Sequence, residues 1–376
     1  MDLVLKDIKL ENFRNYEHFE SGEFDALNIF VGENGAGKTN IVEAIQLITT
    51  LESFRNPKWD EVVRWGSDMA FVDGTIVGDK RVLEVRMRAA NQKRQYYLNG
   101  KGKKNKDLRG LLPAVIFCPD DLQLVKGSSE SRRNALDSIG TQISNTYHDL
   151  KREYGKSIKQ KNALLQGTAI NSVLLDSWNE NIALIGSAFV KHRLSLFSVF
   201  RQHFVSVWSE LVSDSDISVL YSPSWEEGKD IEIEASIYTD DEIREKIHAK
   251  IESHREAEIA TGRSLVGPHR DDVRIYLKGA DARKFASQGQ QRFIALSWKI
   301  AEMRTIGQIC EQQPILLLDD VLSELDRTKK DILMGYLVGN KQTFITATDV
   351  DMLDDRIIGE AKIFDVSRED GPSAGN

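Results

Sequence analysis

Gly32-Glu33-Asn34-Gly35-Ala36-Gly37-Lys38-Thr39 decides the fold of this 376-residue chain. The run matches G-x-x-x-x-G-K-[ST], in which glycines let backbone N–H groups turn toward phosphate oxygens. Its flanks supply the context. Leu27-Asn28-Ile29-Phe30-Val31 reads as a short apolar strand, and beyond Lys38 the residues Ile41, Val42, Ile45 and Ile48 recur at helical spacing. Strand, glycine loop and helix N-terminus together make an anion cradle. Lys38 is expected to reach the β- and γ-phosphates of a nucleotide, and Thr39 to ligate Mg²⁺ through its hydroxyl.

Ile315-Leu316-Leu317-Leu318-Asp319-Asp320 is the partner such a loop requires. Four apolar residues bury a strand and leave Asp319 at its carboxyl end, where it would hold Mg²⁺ directly or through water. Asp320 would orient or deprotonate an attacking water. A second loop, Ser287-Gln288-Gly289-Gln290-Gln291-Arg292, precedes a long helix. Serine and glycine at a helix N-terminus make an anion site. The same residues also fit a plain cap, with Ser287 as N-cap and Gln291 as its partner.

Composition sets the bounds. Fifty Lys and Arg against 58 Asp and Glu give a net charge of −8. Such a chain does not coat nucleic acid indiscriminately, so a DNA contact needs a local basic patch. Residues 81–109 provide one: ten basic residues against Glu84 and Asp107, a net of +8, with Tyr96 and Tyr97 interleaved. Lys93, Arg94, Lys101, Lys103, Lys104 and Lys106 are the expected phosphate contacts, without base readout. The alternative is a charged hairpin edge that prevents sheet aggregation. Cys118 and Cys310, far apart, exclude a disulfide scaffold and a cysteine zinc cluster and fit a reducing compartment. No uninterrupted apolar run approaches the roughly 18–20 residues that span a bilayer, and the charged N-terminus does not read as a signal peptide. The expected location is the cytoplasm, without a membrane.

Along the chain, residues 3–8 read as strand and residues 12–16 as a turn. Residues 70–98 read as hairpin strands ending at Asn99-Gly100, and residues 113–117 as another strand. Leu136, Ile139, Ile143, Tyr147, Leu150, Tyr154 and Ile158 step by 3, 4, 4, 3, 4, 4, the 11-residue repeat of one long amphipathic helix. Gly167-Thr168 breaks it, and a second stripe runs from Leu175 to Leu211, completing a helical hairpin. Trp178, Phe189, Phe200 and Phe204 read as core of that hairpin. Further strands are expected at 217–221, 231–238, 273–277 and 343–346, helices at 240–260 and 290–310, and a loose tail at 371–376.

The phosphate loop, the S-x-G-Q run and the I-L-L-L-D-D strand stand in the order used by ABC-type ATPases, and Ser323-Glu324-Leu325-Asp326 looks like their D-loop. Asn12-Phe13-Arg14-Asn15-Tyr16, Arg132-Arg133 and Gly267-Pro268-His269-Arg270-Asp271-Asp272 extend the likeness. Nearly end to end, from Leu3 to about Asp349, the chain resembles the RecF family of DNA-repair ATPases, relatives of the SMC heads. The resemblance implies an α/β fold: an ABC/SMC-like head built from residues 1–123 and 263–376, with a mainly helical domain inserted at 124–262. Lys38 and Asp319 stand 319 − 38 = 281 positions apart, as such an insertion requires.

The resemblance further implies ATP and Mg²⁺ as cofactors and a nucleotide-gated homodimer. In that dimer Ser287, Gly289 and Gln290 of one chain close over the γ-phosphate cradled by residues 32–39 of the other, and Asp326 couples the two sites. It implies DNA as a partner, at gapped or single-/double-strand junctions, with recombinase loading, replication recovery and the mediators RecO and RecR. Arg14 and Asn15 either approach the nucleotide or only shape the turn. His269 either faces a ligand or is a satisfied turn histidine, and Arg132 and Arg133 pair either with phosphate or with nearby acids. Two positions depart from the ABC pattern. Cys118-Pro119 stands where a Q-loop glutamine belongs, with Gln123 nearby, and Thr348 replaces the switch histidine. A hydroxyl cannot share charge as imidazole does, so the expected DNA-dependent ATPase is slow, a timer rather than a motor. A transporter ATPase subunit and a structural SMC-like head without DNA affinity of its own are the rival readings.

Overall fold

The computed structural model describes residues 3–79, 81–212, 216–226, 238–321, 333, 335–336, 341–350 and 355–366. Its first elements are β1 (Val4–Phe13), β2 (Tyr16–Glu20), β3 (Leu27–Val31), α1 (Lys38–Thr49), β4 (Met69–Gly78), β5 (Arg81–Ala90), β6 (Lys93–Leu98), β7 (Lys101–Lys103) and β8 (Ala114–Phe117). The chain then forms α2 (Gln123–Lys126), α3 (Ser129–Ile143), α4 (Asn145–Leu165), α5 (Ser172–Leu211), β9 (Ile217–Ser222), α6 (Asp240–Ser253) and α7 (Arg255–Thr261). After these come β10 (Asp272–Leu277), β11 (Ala280–Asp281), α8 (Ala282–Phe285) and α9 (Gln288–Cys310). The last described elements are β12 (Ile315–Leu318), β13 (Thr343–Ala347), α10 (Asp355–Glu360) and β14 (Lys362–Asp365). Packing divides the chain into two compact units: Met1–Asp121 with Ile306–Asn376, and Leu122–Thr305. The second division thus falls at Thr305 rather than near residue 262, and α9 runs across it.

The first unit holds two sheets. Strands in the order β2-β1-β4-β5-β6-β7 form an antiparallel sheet, and β14-β3-β13-β12-β8 a parallel one. Period-2 patterning builds the first: Ile8 and Leu10 of β1 and Ala70, Val72 and Ile76 of β4 are all buried. A register shift between Leu5 and Asp7 moves the buried parity from odd to even positions. Asn99 and Gly100, with φ of +49° and +74°, make the left-handed turn that closes β6 on β7. The parallel strands instead read as continuous apolar runs, because both faces are covered, and every residue of β12 and β13 is buried. Ile41, Val42, Ala44, Ile45, Leu47 and Ile48 of α1 join residues of both sheets in one core, none more than 2% exposed. At roughly 1.5–3 kcal/mol per large buried side chain, this shared core fixes the helix that follows the glycine loop.

The second unit is mainly helical. The stripe from Leu136 to Ile158 predicts one helix, but the chain breaks between α3 and α4. Ser144 is extended (φ −145°) and its hydroxyl accepts from Tyr147 N at 3.2 Å, so a local cap overrides the periodicity. The polar helix expected at 240–260 likewise divides, at His254. Phe189, Phe200 and Phe204 of α5 are buried, the last two against Trp298 at 4.6 and 6.3 Å, while Trp178 is half-buried. Among the described residues, α5 is the one helix long and apolar enough to cross a membrane, with a window of mean hydropathy 1.3 that is 56% buried within the protein. That average passes although no uninterrupted apolar run does. Strands β11-β10-β9 form an antiparallel sheet. Most of the strand expected at 231–238, and all of the tail at 371–376, lie outside the described residues.

Candidate nucleotide site and basic edge

Parallel pairing places β13 between β3 and β12, so the carboxyl ends of three strands meet at one edge. This is where open α/β sheets bind ligands. The loop after β3 carries Gly35 and Gly37 at φ of +89° and +107°, which favour glycine, and Gly37 caps α1. Lys38 is 7% exposed, and its ammonium donates to the carbonyls of Gly32 (2.6 Å) and Glu33 (2.9 Å). Burial pulls its pKa down, and Asp320 and Asp319 work against that. Glu33, Asn34 and Gly35 are exposed at the loop's crest, while Ala36 is half-buried.

Two hydroxyls converge on one carboxylate oxygen. Thr39 Oγ1 donates to Asp319 Oδ1 at 2.9 Å, and Thr346 Oγ1 donates to the same atom at 3.0 Å. Thr346 Oγ1 also accepts from Asp320 N at 2.9 Å, with Asp320 in the left-handed region at φ +54°. Asp319 is 6% exposed, and burial raises its pKa, partly offset by Thr39, Thr346 and the Arg55 charge. A hydroxyl and a carboxylate in contact at a helix N-terminus are the donor set that a hard divalent cation takes. Among the described residues no cluster of three or more His, Cys, Asp and Glu suited to a metal occurs.

A lip forms from the turn at residues 12–16. Asn15 Nδ2 and the Tyr16 hydroxyl both donate to Ala36 O at 3.4 Å, and Asn40 Nδ2 donates to Asn15 Oδ1 at 2.6 Å. A Cβ built at Gly37 would lie 2.6 Å from both Asn15 Nδ2 and Tyr16 Oη, so lip and loop fit only around glycine. Arg14 does not point into the cradle. It makes a two-pronged pair with the fully buried Glu43 of α1, at 2.9 and 2.7 Å. Glu43 also accepts from Ser53 Oγ (2.6 Å) and Arg55 Nη1 (3.3 Å), and Arg55 Nη1 donates to Asn40 Oδ1 at 2.7 Å. Sequence reasoning missed Glu43 and Arg55. An acid inside an otherwise apolar helix stripe was the available signal for Glu43; Arg55 had none.

In the second unit, Ser287, Gly289 and Gln290 are exposed at the start of α9. Ser287 N donates to Gln290 Oε1 (2.8 Å) and Gln290 N donates to Ser287 Oγ (3.3 Å), a reciprocal cap. The capping partner is therefore Gln290 rather than Gln291, which is buried and donates to Ala286 O at 2.7 Å. Asp326, with the rest of its expected D-loop, lies outside the described residues. Gln123 is exposed at the start of α2, and Cys118-Pro119 leads from β8 into a short turn of helix. Thr348 follows β13 directly.

The Gly267–Asp272 run makes a buried polar knot. Tyr154 Oη lies 2.7 Å from His269 Nδ1, and burial pulls the His269 pKa down to about 3. Asp271 accepts from Tyr221 Oη (2.6 Å) and Ser224 N (2.7 Å), Arg133 Nη1 donates to Asp271 O (2.5 Å), and Arg132 pairs with Asp272 at 2.9 and 3.0 Å. His269 is thus a satisfied turn histidine, and both arginines meet the run's own acids and carbonyls.

The basic edge of the first unit is uneven. Lys93, Lys101, Lys103, Lys104 and Lys106 are exposed on or beside the edge strand β7. Arg94 is half-buried, donates to Leu51 O and stacks over Trp59 at 4.4 Å. Part of the +8 segment is therefore spent within the protein: Arg94 on Leu51 and Trp59, and Arg86, itself exposed, on Asp73.

A glycine cradle at the end of a parallel strand, with a carboxylate two strands away, defines an ATPase head of the ABC/SMC type. The comparisons are specific. The family model described as RecF/RecN/SMC N terminal domain matches residues 4–371. The DNA replication and repair protein RecF of Lactobacillus gasseri is 33% identical over 371 residues, covering 97% of this chain and 98% of that protein. Its counterpart in Bacillus cereus is 32% identical over 376 residues, with 97% of each covered. A solved recombination mediator protein, RecF-ATPrS in the RecFOR pathway, superposes with a TM-score of 0.89 at 27% identity, covering 100% of this chain and 99% of that one. The Smc head domain from Pyrococcus furiosus shares the fold alone, at a TM-score of 0.54 and 14% identity, with 99% of this chain and 96% of that one covered. The chain belongs to the RecF family of DNA replication and repair proteins.

Proposed function

We propose that this protein is an ATP-dependent DNA-binding ATPase of recombinational repair and replication recovery. It acts in the cytoplasm as a nucleotide-gated homodimer that clamps gapped or single-/double-strand DNA junctions and aids recombinase loading with RecO and RecR. The observation that carries this reading is the shared Asp319 Oδ1, approached by Thr39 from the phosphate loop and by Thr346 from the strand between. The residues present fit ATP and magnesium: the cradle admits no Cβ at Gly37, and its one buried ammonium is spent on loop carbonyls that phosphate oxygens would replace. Bound ATP with magnesium supplies the scissile γ-phosphate and the charge that both faces of a dimer recognise.

The chain's own groups do the rest. Lys38 and the loop N–H groups of residues 32–39 hold phosphate oxygens. Thr39 and Asp319 hold the metal. Asp320, fixed by Thr346, orients water. Ser287, Gly289 and Gln290 of the second copy complete the site, and Asp326 couples the two. Lys93, Lys101, Lys103, Lys104 and Lys106, with Arg94 alongside, meet DNA phosphates without reading sequence. With threonine at 348 in place of a histidine, turnover is slow and stimulated by DNA. Measuring mass in solution with and without ATP tests the dimer. Wild type should double in mass. Lys38→Arg should weaken nucleotide use, and Ser287→Arg should bind ATP yet stay monomeric. Normal pairing by Ser287→Arg removes the assignment.

A further inference from the structure

Among the described residues two large aromatic side chains stand in water: Trp65 is 97% exposed and Phe285 is 72% exposed. Neither sits on a loose end. Trp65 lies on a turn in which Ser67 N donates to Arg64 O (3.0 Å) and Gly66 takes φ +85°. Arg64 N donates to Asn12 O at 2.8 Å, tying this turn to the lip whose Asn15 touches the phosphate loop. Phe285 ends α8, two residues before Ser287, and Asp281 Oδ1 holds that turn by accepting from Arg283 N at 2.9 Å. Each aromatic is thus tied to one half of the proposed composite site: Trp65 to the cradle through the turn at residues 12–16, Phe285 to the signature two residues on.

Their charged surroundings are opposite. Residues 60–68 hold Asp60, Glu61 and Asp68 against Arg64, a net of −2, whereas residues 281–292 hold Arg283, Lys284 and Arg292 against Asp281, a net of +2. We infer that Trp65 of one copy docks on the Arg283-Lys284-Phe285 surface of a second copy, an aromatic and cation–π anchor beside each nucleotide. The inference rests on the nucleotide-gated dimer proposed above. An indole face attracts a desolvated Lys or Arg, and an offset or edge-on phenyl ring suits its other contacts. In a two-fold pair the contact forms twice, so one contact type serves both sites. Opposed charge steers the two faces together and disfavours cradle-to-cradle pairing.

Sedimentation of the full chain with ATP and Mg²⁺ tests this, using wild type, Trp65→Ala, Phe285→Ala and Ser287→Arg. Trp65 is so exposed that its truncation leaves the fold untouched. Each alanine should raise the dimer dissociation constant about 30-fold, as for a hot-spot anchor. The double variant should cost less than the product of the two, because both changes remove one contact. A fluorescent ATP analogue, titrated below the pairing concentration, should bind both variants as wild type. Trp65 can also be watched directly, as the difference in acrylamide quenching between wild type and Trp65→Phe, and ATP should shield it. Pairing of Trp65→Ala at the wild-type concentration, or quenching of Trp65 unchanged in the dimer, overturns the inference while the dimer stands. A wild type that never pairs, or a Ser287→Arg that pairs normally, overturns both.

Discussion

Replacing Glu43 with alanine should loosen the nucleotide site from beneath. Its carboxylate is fully buried and takes two hydrogen bonds from Arg14, one from Ser53 and one from Arg55. Arg55 is 37% exposed and keeps Asn40, so it loses little. Arg14 is only 17% exposed and retains just the Glu61 carbonyl at 2.8 Å. Hydrogen bonds to charged groups are worth about 1.5–3 kcal/mol each, and breaking one side of a buried pair costs about 3–5 kcal/mol. The expected loss for Glu43→Ala is therefore about 3–4 kcal/mol, and about 1–2 kcal/mol for Glu43→Gln, which keeps an acceptor for Arg14 and Ser53. Because the chain has two units, a global melting curve would mix transitions. Amide hydrogen exchange of α1 reads the effect locally, and a 3 kcal/mol loss accelerates it about 100-fold. ATP affinity should fall with it, since the lip carried by Arg14 packs on the loop. Exchange in α1 within about fivefold of wild type for Glu43→Ala would refute the reasoning, since that is less than about 1 kcal/mol.

Gly37→Ala should abolish nucleotide binding while leaving the second unit folded, because the added carbon meets Asn15 and Tyr16 at 2.6 Å in a left-handed conformation; an ATP titration and circular dichroism check this. Asp319→Asn should raise the stability of the nucleotide-free protein at neutral pH while ending hydrolysis. The folded pKa of Asp319 lies above its unfolded value, so its burial penalty is full above the folded pKa and vanishes below the unfolded one. The stabilisation should accordingly shrink as amide exchange of the first unit's parallel strands, corrected for intrinsic rates, is followed from pH 7 down through the carboxylate range, and a pH-independent gap would show that charge is not the cause. Reversing Lys101, Lys103 and Lys104 to glutamate should lower the salt slope of DNA binding by about 3 and leave stability unchanged, whereas Arg94→Glu should destabilise the first unit by breaking its stack on Trp59. Equal amide protection of the first unit in the two variants would contradict that division.

What the sequence made legible is what a single local pattern can carry. The glycine loop and the apolar strand before Asp319 each declare themselves within a few residues, and the alternation in β1, β4 and β5 is the kind a two-faced sheet imposes. The break at Ser144 was hidden because the apolar stripe continues across it, and only the serine hydroxyl's preference for Tyr147 N ends the helix. The Glu43, Arg14 and Arg55 cluster was hidden for the opposite reason: its meaning lies in the contacts among the three, and neither the acid in an apolar stripe nor the arginine in the turn names the other as its partner. The Gly267–Asp272 run left a ligand loop and a satisfied turn both open because it concentrates charge, and what decides is that Arg132 pairs with Asp272 while Asp271 accepts from Tyr221 and lies 3.9 Å from Arg193, partners whose positions no spacing rule predicts. The +8 segment was legible as a sum but not in its parts, since Arg86 and Arg94 are spent on Asp73, Leu51 and Trp59.

Thr346 shows most clearly how topology completes the site. Neither composition nor spacing marks it, but β13 lies between the loop strand and the acidic strand, so its last turnward hydroxyl must lie between their chemistries. It is 2% exposed, donates to the Asp319 carboxylate and accepts from the Asp320 backbone N–H, and so one atom fixes one acid's side chain and the other's backbone. Thr346→Val keeps the shape and strands the Asp320 N–H, which at about 1–3 kcal/mol should shift the Asp320 backbone out of place. As a positioning residue it should act on turnover rather than on nucleotide affinity, which Lys38 and the loop amides govern. The expected outcome is a drop in kcat of about 10- to 100-fold with ATP affinity nearly unchanged, and recovery in Thr346→Ser, which restores the hydroxyl. If Thr346→Ser is as slow as Thr346→Val, the methyl packing and not the shared hydroxyl orders the two acids.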